Sequence, residues 1–179
     1  MVAALKISML KVKNASMFKL NIRNLLWLLL AAVVVAADLW TKALATGQLD
    51  YGVPVEILPV FNLTLQHNTG AAFSFLSDAG GWQRWLFSGI AIVVGLFILG
   101  WLLRLPAGQK TLAASLSLIL GGAMGNLWDR LQLGYVVDFI SVHYHDYYFP
   151  AFNIADSAIT IGAGLMLLDM FIHPDNHSG

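Results

Sequence analysis

Four apolar stretches, each about as long as a lipid bilayer is thick, constrain this chain more than any other feature of its sequence. They cover residues 25–45, 82–103, 111–131 and 153–172, and about 20 apolar residues suffice for a helix to span the hydrocarbon core. Charged residues make up only 11% of the chain, whereas soluble domains carry about a quarter. The sequence therefore predicts an all-α integral membrane protein with four transmembrane helices, and it excludes an ordinary soluble domain.

Net charge and cysteine content exclude further classes. The formal net charge is zero, so the sequence predicts no nucleic-acid partner. There is no cysteine, which excludes disulfide bonds, cysteine nucleophiles and cysteine-ligated zinc.

Basic residues beside the apolar stretches predict the orientation of the bundle, because Lys and Arg concentrate in cytoplasmic flanks. They precede the first stretch and also occupy the 104–110 loop: Lys6, Lys11, Lys13, Lys19, Arg23, Arg104 and Lys110. Both termini and this loop are thus predicted to be cytoplasmic, with 46–81 and 132–152 outside. We divide the chain into a basic leader (1–24), one four-helix domain (25–173) and a tail (174–179). The start of the chain also resembles a cleavable signal peptide, but apolar residues continue past Asp38, which favours a retained signal-anchor helix.

The outer segment 50–68 has no helical pattern. It is rich in Val, Ile, Leu and Phe and is interrupted by Pro54 and Pro59, which is typical of short strands. Because an isolated hairpin is only marginally stable in water, we expect it to pack on the helices or on the bilayer.

Polar side chains cluster at one predicted depth, near the outer face. They come from three apolar stretches and both outer segments: Asp38, Lys42, Asn68, Asn126, Asp129, Arg130, Asp138, Asn153 and Asp156. Charged residues within membrane spans are costly and by default indicate a functional site or a buried pair. Asp38 with Lys42, and Asn126 with Arg130, are spaced i,i+4, which puts each pair on one helix face.

Several of these residues also have a purely structural interpretation. Asn153 and Asp156 fit an N-cap and its acidic partner three residues later. Asp38 and Lys42 could form a structural ion pair, and Arg130 could extend toward lipid headgroups. His143 and His145 have a spacing found in metal sites, but an interfacial aromatic belt explains "VHYHDYY" better, and we predict no metal.

Asp138 and Asp156 stand out because neither has a basic partner nearby in sequence. Two carboxyl groups brought close together cannot both ionise easily, so they share a proton. One can then take a proton from water while the other polarises a carbonyl and later protonates the leaving amine. The spacing permits this proximity, and the sequence leaves open which aspartate would carry the proton.

Four motifs resemble the sequence boxes of one bacterial family, the lipoprotein signal peptidases (signal peptidase II). They are "DLWTK" (38–42), "NTGAAFSFL" (68–76), "GGAMGNLWDRLQLGYVVDFI" (121–140) and "FNIADSAITIG" (152–162). They occur in the family's order, each beside the expected span, and the resemblance covers most of the chain after Asn24.

The resemblance implies a membrane-embedded aspartic protease of the bacterial inner membrane. Its substrates would be diacylglyceryl-modified prolipoproteins, cut before the lipidated cysteine near the periplasmic face, and globomycin-type cyclic peptides would inhibit it. It implies no cofactor. The catalytic pair would be Asp138 and Asp156, and the residues that line or brace the site would be Asp38, Lys42, Asn68, Gly70, Asn126, Arg130 and Asn153. It also implies a small β-structure and a short helix, near 78–82, on the outer face.

Two other functions use the same polar residues differently. A transporter or proton relay would need ionisable groups along the full depth of the bundle, yet Asp169 is the one such residue in the predicted inner halves of the second to fourth spans. A non-catalytic assembly factor would need no carboxylate pair. The sequence therefore favours the protease.

Overall fold

Four long helices and a small sheet make up the structure, a computed structural model that describes residues 22–70 and 81–173. Within those residues the elements are α1 (Ile22–Gln48), β1 (Val55–Leu58), β2 (Phe61–Asn68), α2 (Trp82–Arg104), α3 (Lys110–Gln132), β3 (Val136–Tyr144), β4 (Tyr147–Tyr148) and α4 (Ile154–Ile172). All four helices are long and apolar enough to cross a membrane. The predicted spans are confirmed, each to within about three residues at either end.

Helix α3 is the centre of the bundle, because it packs against α1, α2 and α4. Most of its length is buried, whereas the other helices turn many apolar side chains outward, among them Leu29, Val93 and Phe97. Apolar side chains facing outward are what a lipid environment favours.

Glycines let α3 approach its neighbours closely, as small residues do at membrane helix contacts. A Cβ on Gly122 would collide with the carbonyl oxygen of Ala155 in α4, and one on Gly121 would lie 2.7 Å from the carbonyl oxygen of Ala31 in α1.

The two ends of the bundle differ inside. A hydrophobic cluster lies toward the α2–α3 loop and consists of Ala31, Ile98, Leu102, Leu105, Leu112, Ala113, Leu116 and Leu120. A few polar side chains are buried at this end too, among them Asp169 and Asn24, which donates to the Leu105 carbonyl at 2.8 Å. The buried polar residues Asp38, Lys42, Asn126, Asp129 and Asn153 belong to the opposite end, where the sheet lies. The linked network of buried ion pairs and side-chain hydrogen bonds therefore lies at the end of the bundle near the sheet.

The sheet is antiparallel, with strand order β1-β2-β3-β4. The short strands predicted within 50–68 are confirmed as β1 and β2. Strand β2 also pairs along β3, with Gln66 opposite Asp138, a pairing that the sequence did not predict. Phe152 then bonds to β3, with its N–H donating to the Ile140 carbonyl at 3.0 Å. This contact brings the start of α4 beside the strand that carries Asp138.

Some expectations concern residues outside those described. They are the leader before residue 22, the tail after 173 and most of the short helix predicted near 78–82. The division into leader, domain and tail stays a prediction.

Candidate active site

Asp138 lies in β3 with its carboxyl group turned toward the start of α4, and it is 2% exposed. Its Oδ1 accepts a hydrogen bond from Asn153 Nδ2 at 2.7 Å, and its Oδ2 accepts one from Asn68 Nδ2 at 3.0 Å. Burial raises the pKa of Asp138 to about 7, and the nearby Asp156 charge acts in the same direction. The two amide donors and Lys42 oppose that rise. A carboxyl group titrating near neutrality can exchange protons with substrate and water.

Asp156 occupies the first turn of α4 and is half-buried. The predicted capping interaction is present: the Asn153 side chain accepts a hydrogen bond from the Asp156 N–H at 2.9 Å, and Asp156 Oδ2 accepts from the Asn153 N–H at 3.3 Å. This reciprocal capping fixes the direction in which the helix starts. It therefore also fixes where the Asp156 carboxylate points.

Two asparagines connect the two carboxyl groups. Asn126 on α3 donates from Nδ2 to Asp156 Oδ1 at 2.8 Å. Asn153, which donates to Asp138, also donates to Asn126 Oδ1 at 3.1 Å. Asp138 and Asp156 thus belong to one hydrogen-bond network drawn from a strand and two helices, so the structure brings this predicted pair together.

A buried ion cluster supports this network from α1. The Lys42 ammonium lies 2.7 Å from Asp38 Oδ2 and 2.9 Å from Asp129 Oδ2, and it donates to Asn126 Oδ1 at 3.0 Å. The contact with Asp38 Oδ2 is an ion pair without hydrogen-bond alignment. Asp38 Oδ1 accepts from the Ala155 N–H at 2.9 Å. Asp38 therefore satisfies a free N–H of the first turn of α4, which a helix terminus otherwise leaves without a partner.

Asn68 and Gly70 form the exposed border of the site. Asn68 is exposed, and its Oδ1 accepts from the Gly70 N–H at 2.8 Å while its amide donates to Asp138. Gly70 has φ 89°, and an added Cβ would lie 2.5 Å from the Phe87 ring. Both the backbone angle and the space require glycine here.

Arg130 is half-buried beside the pair. Its Nη1 donates to the Asn126 carbonyl at 3.3 Å, and its guanidinium carbon lies 5.6 Å from the centre of the Phe87 ring. Its charge interacts with those of Asp156, Asp138 and Asp129. A role for Arg130 in holding lipid stays a prediction.

Sequence reasoning missed the part played by Asp129. It emphasised the i,i+4 pair of Asn126 and Arg130, but i,i+3 neighbours share a helix face as well, and Asp129 joins Asn126 at Lys42. That spacing was the available signal.

The two histidines of "VHYHDYY" lie elsewhere on the sheet. The His143 ring stacks on Tyr148 with centroids 4.8 Å apart, and its Nδ1 lies 3.3 Å from the His145 carbonyl oxygen. Over residues 22–70 and 81–173, no three His, Asp or Glu side chains are grouped as metal ligands would be. Independence from metal stays a prediction.

Comparison with known proteins decides the family. The family model for signal peptidase (SPase) II matches residues 30–172.

The chain belongs to the signal peptidase II family.

Lipoprotein signal peptidases from three organisms illustrate the similarity. That of Acinetobacter baylyi is 55% identical over 155 residues, which cover 87% of each chain. That of Pseudoalteromonas translucida is 52% identical over 148 residues, 83% of this chain and 89% of the relative. That of Cellvibrio japonicus is 49% identical over 153 residues, 86% and 90% of the two chains.

Two solved structures share the fold, and both are bacterial membrane enzymes solved by the in meso method. One has a TM-score of 0.71 at 33% identity and covers 80% of this chain and 91% of its own. The other has a TM-score of 0.73 at 32% identity, with 84% and 90% covered.

Membership in this family makes the chain a multi-pass membrane protein and an aspartic-type peptidase that cleaves signal peptides from prolipoproteins. The predicted family, fold and enzyme class are confirmed. The alternative of a transporter is thereby wrong.

Proposed function

We propose that Asp138 and Asp156 are the catalytic pair, and that they cut diacylglyceryl-modified prolipoproteins immediately before the lipidated cysteine. The observation that carries this proposal is the bridge between the two carboxyl groups through Asn126 and Asn153. A two-carboxylate mechanism needs one member protonated and one ionised, with both held in fixed positions.

In the proposed cycle one carboxylate removes a proton from water as the water oxygen attacks the scissile carbonyl carbon. The other, protonated, transfers its proton to the carbonyl oxygen, and a tetrahedral diol forms. As the C–N bond breaks, the carboxyl group that took the proton from water gives it to the cysteine amine, which leaves as the new N-terminus, and a diol hydroxyl returns its proton to the other carboxylate. The signal peptide departs with a carboxyl end, so atoms and protons balance.

The electrostatics of Asp138 support this cycle. Its pKa of about 7 means that near neutral pH it is divided between its two forms, which suits a group that must both accept and release a proton. Its neighbour Asn68 is exposed, which supports entry of the substrate peptide from that side.

Depth in the membrane supports the choice of substrate. A cysteine carrying a diacylglyceryl group is held at headgroup level, and the cluster lies at the end of the bundle where the sheet is. The basic flanks support an orientation in which that end faces the periplasm and both termini face the cytoplasm. We therefore assign the protein to the bacterial inner membrane, with its active site near the outer leaflet.

The remaining predicted residues take supporting roles in this proposal. Asn126 and Asn153 orient the two carboxyl groups, while Asp38 and Lys42 brace the start of α4 and the Asn126 amide. The other three border the entry side: Asn68, Gly70 and Arg130. Lipid, the prolipoprotein and a globomycin-type inhibitor would all approach there. In domain terms, 25–173 would form the protease and the flanking residues a leader and a tail.

The test uses purified protein, a diacylated prolipoprotein and a mass assay for the released peptide. Asp138→Asn and Asp156→Asn should each lower turnover by at least about 10²–10⁴-fold, the usual loss when a general acid or base is removed. The matched control is Asp146→Asn, which removes an exposed outer carboxylate and should cleave normally. Near-normal turnover in either test variant would remove that aspartate from the catalytic role. Activity lost in EDTA and restored by zinc would exclude this two-aspartate mechanism.

A further inference from the structure

Asp129 lies in the last full turn of α3 and is 4% exposed. It contacts Lys42, which is connected to Asp156 through Asn126, and the N–H of Val137, which precedes Asp138 in the chain. Its Oδ2 takes part in both contacts, at 2.9 Å and 3.0 Å. One carboxylate oxygen thus binds α1 and β3 at the same time.

Through its contact with Lys42, Asp129 is connected to Asp156 by way of Asn126. Lys42 donates to Asn126 Oδ1, and an ammonium group can only donate. The carbonyl side of the Asn126 amide therefore faces Lys42, so its NH₂ side faces Asp156, to which it donates at 2.8 Å. Asp129 holds the Lys42 ammonium from the side of α3 and so helps to fix this orientation.

Through its contact with the Val137 N–H, Asp129 holds the backbone directly before Asp138. Val137 immediately precedes Asp138 in β3, and its N–H points at Asp129. Its carbonyl accepts from Asn153 Nδ2 at 3.2 Å. Both peptide groups of Val137 are thereby held, so Asp129 limits how far the backbone beside Asp138 can move.

Lys42 has two buried carboxylate partners, Asp38 Oδ2 at 2.7 Å and Asp129 Oδ2 at 2.9 Å. One carboxylate is enough to pair with a single ammonium group. Buried ion groups are costly to desolvate and are weak evidence for stability. A residue that only neutralised Lys42 would be redundant, whereas one that fixes two backbone and side-chain positions is not.

We infer that Asp129 is a positioning residue that couples Asp138 and Asp156, through the Val137 peptide on one side and through Lys42 and Asn126 on the other. This inference rests on the proposed function, in which those two aspartates react. Asp129 does not itself exchange protons with the substrate.

The test compares kcat, KM and the pH profile of Asp129→Asn with those of the wild type. The amide keeps an acceptor for the Val137 N–H but loses the charge that holds Lys42. We expect kcat to fall about 10–100-fold, as misplacement of reacting groups by about 1 Å does, with KM within about twofold. Lys42 lowers the pKa of Asp138 and would act more strongly without Asp129, so the pH profile should move toward acid. The other charged groups near the pair, Asp38 and Lys42 on α1 and Arg130 on α3, are unchanged.

Two control variants distinguish a positioning role of Asp129 from a role in protein stability alone. Asp50→Asn and Asp146→Asn each remove an exposed outer carboxylate and should leave kcat and the pH profile unchanged. A merely structural Asp129 would lower the unfolding temperature while leaving both properties of the folded enzyme as in the wild type, and that result overturns the inference.

A second variant covers the case in which Asp129→Asn does not fold. Asp129→Glu keeps the charge but moves the carboxylate by one methylene, so kcat should fall severalfold with the pH profile unchanged. Wild-type kcat in Asp129→Glu would overturn the inference. Failure of the wild-type protein to cleave the prolipoprotein would instead refute the proposed function, so the two failures are distinguishable.

Discussion

Asn153 has two separable tasks, and a pair of substitutions can measure each. Its side-chain oxygen caps α4, while its amide NH₂ donates to Asp138 Oδ1 at 2.7 Å. Asn153→Ser keeps an oxygen able to cap the helix but removes the amide donor. Asn153→Ala removes both.

The magnitudes follow from these contacts, because Asn153 is fully buried (0% exposed). Loss of a hydrogen bond to a charged group costs about 1.5–3 kcal/mol. The amide also donates to Asn126 Oδ1 and to the Val137 carbonyl, so both variants should lose at least that much free energy of unfolding. Loss of an N-cap costs about 1 kcal/mol more, so the alanine variant should be the less stable by that amount. Tryptophan fluorescence during thermal unfolding in detergent can measure the difference, since the chain has six tryptophans.

Measurements of activity test the role of the Asn153 amide more directly than measurements of stability do. The Asn153 amide holds down the pKa of Asp138, so that pKa should rise in both variants and the pH profile should move to higher pH. Turnover of a diacylated prolipoprotein should fall at least tenfold in both, even though the serine variant keeps its cap. Wild-type kcat and pH profile in Asn153→Ser would reduce Asn153 to a helix cap and refute this reasoning.

Two further predictions concern pH and orientation. Asp138 has an ordinary pKa of 3.8 and a folded-state pKa of about 7, so its contribution to stability is present below pH 4 and is lost as the pH rises through 7. Asp138→Asn, which we expect to be inactive, should therefore have a higher unfolding temperature than the wild type at pH 8, with a gain in free energy of unfolding of up to about 4 kcal/mol. At pH 4 it should show no gain, and equal stabilities at pH 8 would contradict this reasoning. Single cysteines at Asp50 or Asp146 should react with an impermeant thiol reagent outside cells, and one at Gln109 should not; the reverse pattern would invert the bundle.

The parts of the fold that the sequence predicted are those set by local patterns. Span lengths follow from runs of apolar residues, and the cap at Asn153 follows from a carboxylate three residues later. The ion pair of Asp38 and Lys42 follows from their i,i+4 spacing. Each of these depends on residues that are close together in the sequence, within one apolar stretch or one helix turn.

The parts that it did not predict depend on distant residues. Strand β3 has an almost entirely buried first half, VVDFI, so it lacks the polar–apolar alternation by which a half-exposed strand is recognised. Its partner β2 is about 70 residues away, with Asn68 opposite Val136. The contact of Asp129 with Lys42 likewise joins two different helices. Pairings of this kind are set when the bundle closes, which no local pattern records.

The same contacts secure both the fold and the proposed chemistry at the end of the bundle where the sheet lies. A Cβ on Gly125 would collide with the Asp38 carboxylate, so glycine lets Asp38 lie against α3 while it caps Ala155 at the start of α4. Negative groups near a helix N-terminus are stabilised by its dipole, and Asp38 and Asp156 both accept backbone N–H groups at the start of α4. Deleting either side chain would therefore disturb folding and catalysis together. Isosteric exchanges, such as aspartate to asparagine, change charge while keeping shape, and for that reason they are the substitutions that can tell the two effects apart.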